Sequence, residues 1–326
     1  MEKIKYNLQL FADLNTNTTL SSGLSDEMKT YYSDYLIDNA QPELVHDQFG
    51  QKHPIPKNGG KNIEFRKFVP FNKATKTLTE GVTPDGGSLS VTKIEATVDQ
   101  YGYYVTLSDV LQLTSIDNTL VETTKLLGSQ AGMTLDTVTR EVINGGTNVM
   151  YSGGKSARAA LDADSKLSVD DIYRAARFLK AQNAPKIEGG YVAIIHPDVA
   201  YDLMRNEEWI ESHKYAATTE LFEGEIGKIG GVRFVETTEA KIFAKAGSGS
   251  KDVYSTLVLG ANAYGVTEIE GGGLQHIVKQ LGSGGTSDPL NQRATAGWKA
   301  IKTAERLVEN YMTRIESCST FDSGAN

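Results

Sequence analysis

The chain has 326 residues, 39% hydrophobic and 23% charged, a balance that belongs to a folded protein and excludes wholesale disorder. Its 33 Lys and Arg against 41 Asp and Glu give a formal net charge of -8, and no basic stripe runs along it, which argues against a protein built to grip nucleic acid. The single cysteine, Cys318, excludes an internal disulfide and fits a reducing compartment, and no run approaches the length of a membrane helix.

The opening MEKIKYNLQLFAD places Lys3 and Lys5 before Leu8, Leu10 and Phe11. Its apolar part is too short for a secretion signal, and Asn7 and Gln9 interrupt it. Polar LNTNTTLSSG follows, so residues 1–49 read as an arm with one sticky patch, Leu8, Leu10 and Phe11, and then a short amphipathic helix over 25–40. The region 50–107 is the most strand-like. NIEFRKF alternates at Ile63 and Phe65, and YGYYVTL at Tyr101, Tyr103, Val105 and Leu107. Between them, TLTEGVTPDGGSLSVTKIEATV (77–98) has the marks of a β-hairpin turning at 83–87. Its apolar residues, chiefly Leu78, Val82, Leu89, Val91, Ile94 and Val98, are few and small. A hairpin alone is marginal in water. The expectation is a long two-stranded arm, rooted through the aromatic strands and leaning on a neighbour at its tip through Leu89, Val91 and Ile94.

Residues 115–146 are the most helical. Leu120, Thr124, Leu127, Ala131, Leu135, Val138 and Val142 share one face, Ser115 or Asp117 can cap the start, and Gly145 and Gly146 end it. Gly128 and Gly132 each cost about 1 kcal/mol relative to Ala, and a bend or close packing is expected there. Residues 155–285 read as an α/β unit. Ser168 and Asp171 form a capping-box pattern, YVAII (191–195) a buried strand, and Pro197 the first turn of a helix. KIGGVRFVET and STLVLG are further strands, and KIFAKAGSGSKD is a surface loop. The final segment holds strands around Trp298 and over 307–315. Trp298 is expected to anchor a core rather than an interface.

Stretches that imitate catalytic or ligand sites read more simply. His196-Pro197-Asp198 is a helix start. LGSGGTSDP (281–289) lacks the order and the Lys of a phosphate-cradling loop. DADSK (162–166) puts Lys166 at a calcium-ligand position. The five histidines show no metal-ligand spacing, and Cys318 reads as a small apolar residue. No nucleophile, base and oxyanion site assembles, so the expectation is a protein that is not an enzyme and uses no cofactor or metal.

GEIGKIGGVRFVETTEA, GANAYGV and GSGGTSDPLNQRATAGWKA, in that order, resemble the major capsid protein family typified by the coat protein of bacteriophage N4. YNLQLFAD, FGQKHPIPKNGGKNIEFRKF and IIHPDVAYDLM look like the same family, so the resemblance spans nearly the whole chain. It implies an α+β fold of the Hong Kong 97 type. The implied organisation is an N-terminal arm and short helix (1–49), an extended β-hairpin loop (50–106) and a peripheral domain with a spine helix (107–159). An axial domain (160–285) and the last peripheral strands (286–326) follow. The implied function is self-assembly of pentamers and hexamers into the icosahedral head of a tailed phage. The implied partners are copies of itself, a separate scaffolding protein, a portal and the enclosed DNA, bound without sequence specificity and with no membrane. The implied location is the virion, assembled in the host bacterial cytoplasm. Three other readings stand beside it: an encapsulin-type cellular compartment, which shares the fold, a decoration protein, and an enzyme on an α/β scaffold.

Overall fold

The computed structural model describes residues 16–17, 45–56, 60–68, 71, 73–75, 77–83, 86–115, 119–214, 225–268, 274–285 and 288–326. The helix expected over 25–40 lies outside the described residues. In chain order the elements begin with β1 (Thr16–Asn17), α1 (Val45–Gln48), β2 (Gln51–Lys52), β3 (Asn62–Phe68), β4 (Val91–Thr97), β5 (Asp99–Ser108), α2 (Asp109–Thr114), α3 (Thr119–Asn144) and β6 (Val149–Tyr151). They continue with α4 (Val169–Ala181), β7 (Tyr191–Ile195), α5 (Pro197–Met204), α6 (Glu207–Lys214), β8 (Glu225–Ile229), β9 (Val232–Glu236) and β10 (Ile242–Phe243). The last are β11 (Val253–Leu259), β12 (Tyr264–Glu268), β13 (Gln275–Lys279), β14 (Arg293–Arg306) and β15 (Met312–Ser317). The chain divides into two units, a first of residues 1–41, 101–131 and 274–300 and a second of 42–100, 132–273 and 301–326.

The second unit is built on a mixed sheet in the order β6-β15-β11-β7-β9-β8, with β10 on β11. Every residue of β7 is buried, because both faces of this sheet are covered. Ala193 and Ile195 join Ile172, Ala176 and Leu179 of α4 and Val199 and Leu203 of α5 in one core. Ile194, Leu257 and Leu259 point the other way and meet Val45, Ile143 and Tyr264. Burial on both faces is why β7 reads as a continuous apolar run. The capping box forms as expected: Ser168 Oγ accepts from the Asp171 N–H, and the Asp171 carboxylate accepts from the Ser168 N–H, each at 3.2 Å. His196 caps α5 by accepting from the Asp198 N–H at 3.2 Å, with Pro197 in the first turn.

The expected face of α3 holds through Leu127, Ala131 and Leu135, then changes. Beyond Leu135 the helix buries Asp136, Thr139, Arg140 and Asn144 beside Ile143, and leaves Val138 and Val142 half-buried. Each buried polar group has a partner remote in sequence. The Asp136 carboxylate accepts from the His46 N–H (2.8 Å) and pairs with its Nδ1 (2.6 Å). Thr139 donates to Asp47 (2.6 Å), Arg140 to the Glu239 carbonyl (2.8 Å), and Ser255 to Asn144 (2.6 Å). Lys302 closes the cluster on Asp47 and the Leu135 carbonyl, and Tyr264 donates to the His46 carbonyl. At Gly128 an added Cβ would meet nothing within 4 Å, so the expectation of close packing is not met there.

In the first unit β5 lies between β1 and β14, and β13 pairs antiparallel with β14. Glycines permit a close approach of β5 and β14. A Cβ at Gly297 would come 2.7 Å from Tyr104 Cβ, and one at Gly102 would come 2.8 Å from the Trp298 carbonyl. YGYYVTL therefore does not form the two-stranded arm expected of it, because its partner is β14. Trp298 is buried, and its Nε1 donates to Gln130 of α3 at 2.9 Å. Trp298→Ala should lower the chain's stability by about 3–5 kcal/mol, read from denaturant unfolding. An unchanged midpoint would contradict core anchoring.

Candidate functional site

The loop at 60–98 has a dry root and an uncovered tip. Strand β4 pairs antiparallel with β3, from Asn62 opposite Thr97 to Phe68 opposite Val91. It does not pair with 77–82, which is not strand, so the tight hairpin expected over 77–98 is replaced by a wider one. The physical reason is the partner face. The two-residue period of the pleat puts Ile63, Phe65, Ile94 and Ala96 on one side, and only 62–68 supplies large apolar groups for it. That side rests on the chain's own second unit. Phe65 is 8% exposed and packs edge-on to His53 with centroids 5.4 Å apart. A Cβ at Gly265 would strike its ring at 2.8 Å, so glycine makes room for this side chain.

The opposite face carries Glu64, Arg66, Lys93 and Glu95. Lys93 Nζ donates to Glu95 (2.6 Å) and lies 3.5 Å from Glu64. The hydrogen bond to Glu95 and the Glu64 charge hold the Lys93 pKa up, and the same bond holds Glu95 down. These groups are exposed and keep the face wet; screened surface pairs add little stability.

Beyond the ladder the loop exposes Phe71 (67%), Leu78 (77%), Val82 (63%) and Leu89 (63%), and Val91 in the last pair of the ladder is exposed too (46%). Its two limbs approach at Phe71, whose ring lies 3.6 Å from where a Gly87 Cβ would stand. Of the expected contact residues, Leu89 and Val91 fall in this exposed set, while Ile94 is in the half-buried root, facing away from Val91. Leu8, Leu10 and Phe11 lie outside the described residues. Downstream of them, Thr16 and Asn17 pair parallel with Thr106 and Leu107. Sequence reasoning missed Phe71, which belongs to neither alternating run. A lone large aromatic in polar PFNKATK was the available signal.

A second concave surface, about 620 Å³, lies within the first unit on the face of β5, β14 and β13 that carries Tyr104, Thr295, Gly297, Ile277 and Lys279. Its rim residue Asp288 accepts from the N–H groups of Gln292 (3.1 Å) and Arg293 (2.8 Å), which orders the loop. Elsewhere, Cys318 is buried with Leu161 and Val253, and burial with nearby carboxylates pushes its thiol up to about 11. Asp162 of DADSK is held down to about 2 by hydrogen bonds from Lys155 and Ser165. Among the described residues no group of three or more His, Cys, Asp or Glu could hold a metal ion.

A family model described as phage capsid protein matches residues 91–310. Among solved structures, the capsid of Ralstonia phage GP4 superposes with a TM-score of 0.73 at 17% identity, covering 95% of this chain and 100% of that one. The capsid of cyanophage P-SCSP1u gives 0.68 at 14% identity, covering 91% and 95%. The SrpI encapsulin from Synechococcus elongatus PCC 7942 gives 0.59 at 9% identity, covering 94% and 99%. No curated protein sequence matches the chain. At these identities the likeness is one of fold, and the fold is the expected α+β architecture of the Hong Kong 97 type. The opposed faces of β4 make a direct prediction. Ile94→Ser should cost about 1–3 kcal/mol of chain stability, and Val91→Ser should stay within about 0.5 kcal/mol. Urea unfolding of both variants checks this; equal losses would contradict the face assignment.

Proposed function

We propose, for a chain that belongs to the phage capsid protein family, that it is the N4-type major coat subunit of a tailed phage. Copies of it assemble as pentamers and hexamers into an icosahedral head that encloses double-stranded DNA. The observation that carries this reading is the loop: five large apolar side chains stand exposed at and beyond the end of a ladder whose Phe65 and Ala96 are buried. A soluble single chain rarely keeps such a surface uncovered. A neighbouring copy under closed symmetry covers it without a further partner, and modest contacts add over many subunits.

The domain division in this reading is arm 1–49, extended loop 50–106, peripheral 107–159, axial 160–285 and peripheral strands 286–326. The arm patch Leu8, Leu10 and Phe11 makes a second contact, with a neighbour or with a separate scaffolding protein. The mechanism is assembly rather than catalysis. The net charge of -8 supports a wall that DNA, loaded through a portal in the host cytoplasm, does not stick to. The likeness to the encapsulin favours a second reading, a cellular compartment around protein cargo, but the match to the phage capsid family over 91–310 weighs against it.

Negative-stain microscopy of the expressed full chain, with its scaffolding protein where needed, tests assembly. Closed icosahedral shells are expected from the full chain and few from a variant lacking residues 1–14. A small soluble oligomer would contradict the reading, and normal shells from the truncated chain would remove the arm from it. Particles recovered from infected cells should contain DNA; protein cargo without DNA would select the compartment.

A further inference from the structure

The last eight residues, STFDSGAN, carry no apolar stripe, yet they are bound along their length. Ser319 Oγ and the Thr320 N–H donate to Asp202 Oδ2 at 2.8 and 2.7 Å, and Thr320 Oγ1 donates to Oδ1 at 2.5 Å. Ser323 Oγ and Tyr254 OH both donate to Asp198 Oδ2, at 2.5 and 2.7 Å, and the Ser323 N–H donates to Tyr254 OH. The Gly324 N–H donates to Asp252 Oδ2 at 2.8 Å, and Asp322 answers by accepting from the Asp252 N–H and from Lys251. Asn326 Nδ2 donates to the carbonyls of Thr238 and Ala240, and its Oδ1 accepts from the Ile242 N–H. The segment thus ties α5, the start of β11 and the 238–242 turn, all in the second unit. Apolar contact is slight: Phe321 stacks edge-on with Tyr201 and stays partly exposed.

Three acceptor carboxylates, Asp198, Asp202 and Asp252, hold this segment, and Asp202 does so with both oxygens, so its protonation must break a bond to the segment. Protonation turns an acceptor oxygen into a donor facing another donor. We propose that residues 319–326 are a strap whose 319–324 part is acid-releasable: at neutral pH carboxylates hold that part across the second unit, and in acid it leaves while the sheet beneath stays folded.

The charged groups around it work in one direction. Burial pushes the Asp202 carboxyl up, but hydrogen bonds from Thr320 and Ser319 and the Lys166 charge outweigh it, and its pKa lies below 3.8. Lys251 holds Asp322 below the same value. For carboxylates lowered by folding, the stabilisation is present above the unfolded value and is lost as pH falls through the folded one. His196, the cap of α5, is lowered from 6.5 by burial, with the Asp198 charge acting the other way. Tyr254 is pushed up to about 12 by burial and its bond to Asp198, so it stays a neutral donor throughout. At the far end Arg140, paired with Glu239, and Lys241, paired with Glu141, face the 238–242 turn.

Hydrogen exchange on the full chain, corrected for the intrinsic pH dependence, tests the strap. From pH 7 to about pH 3 the amides of Thr320 and Gly324 should lose protection by about tenfold or more, while those of β11 keep theirs. Cys318, buried beside the strap, should stay closed to a thiol reagent active in acid. Asp202→Asn, which replaces one acceptor oxygen with a donor, should release Thr320 at pH 7, and Ser323→Ala should weaken the middle of the strap. Unchanged protection at pH 3, loss of strap and β11 together, or an Asp202→Asn strap as protected as the parent's would each overturn the proposal.

Discussion

A two-stranded ribbon has two faces and can bury at most one on its own chain. That constraint organises the loop between 60 and 98. At its root, Phe65 and Ala96 are dry, Phe65 because Gly265 and His53 receive it, and the charged ladder of Glu64, Lys93 and Glu95 faces water. Past Val91 there is no ladder and no covered face, and the apolar side chains from Phe71 to Leu89 stand exposed. Ordering such a segment costs about 1–2 kcal/mol per residue in backbone entropy. Burying one Leu or Val returns roughly 1.5–3 kcal/mol. The balance favours order only when a second surface covers the tip.

The root is useful only if it is held in place, and the holding is polar. His46 and Asp47, just before the loop, are gripped by Asp136, Thr139 and Lys302, with His46 and Asp136 fully enclosed. Buried ion pairs contribute little net stability, but removing one partner leaves a stranded charge, at a cost of about 3–5 kcal/mol. Such a cluster discriminates one register from its neighbours. It sets where the segment leading into the loop meets α3, and so where the loop begins.

Much of this was legible in the sequence. The Ser168 capping box, the strand at 191–195, the Pro197 helix start and the core place of Trp298 follow from local rules, and each is found where those rules put it. What failed depended on partners far along the chain. Nothing local tells β4 to choose 62–68 over 77–82, or tells β5 to choose β14 through the glycines at 102 and 297. The turn of α3 from an apolar to a polar buried face at Asp136 requires His46, ninety residues upstream. The strap at 319–326 has no period at all, since its order comes from side-chain oxygens on α5 and just before β11. Among the candidate contacts, Leu89 and Val91 were legible as apolar residues in a polar segment, whereas Ile94 belongs to the root.

The central claim is that the tip of this loop leans on another copy of the chain while its root does not. Hydrogen exchange on the free chain and on assembled shells, side by side, tests it most directly. The account predicts fast exchange over 77–90 in the free chain and strong protection of the same amides in the shell, with 62–66 and α3 protected in both. Equal protection of 77–90 in the two states would contradict it, because the tip would then be packed on its own chain.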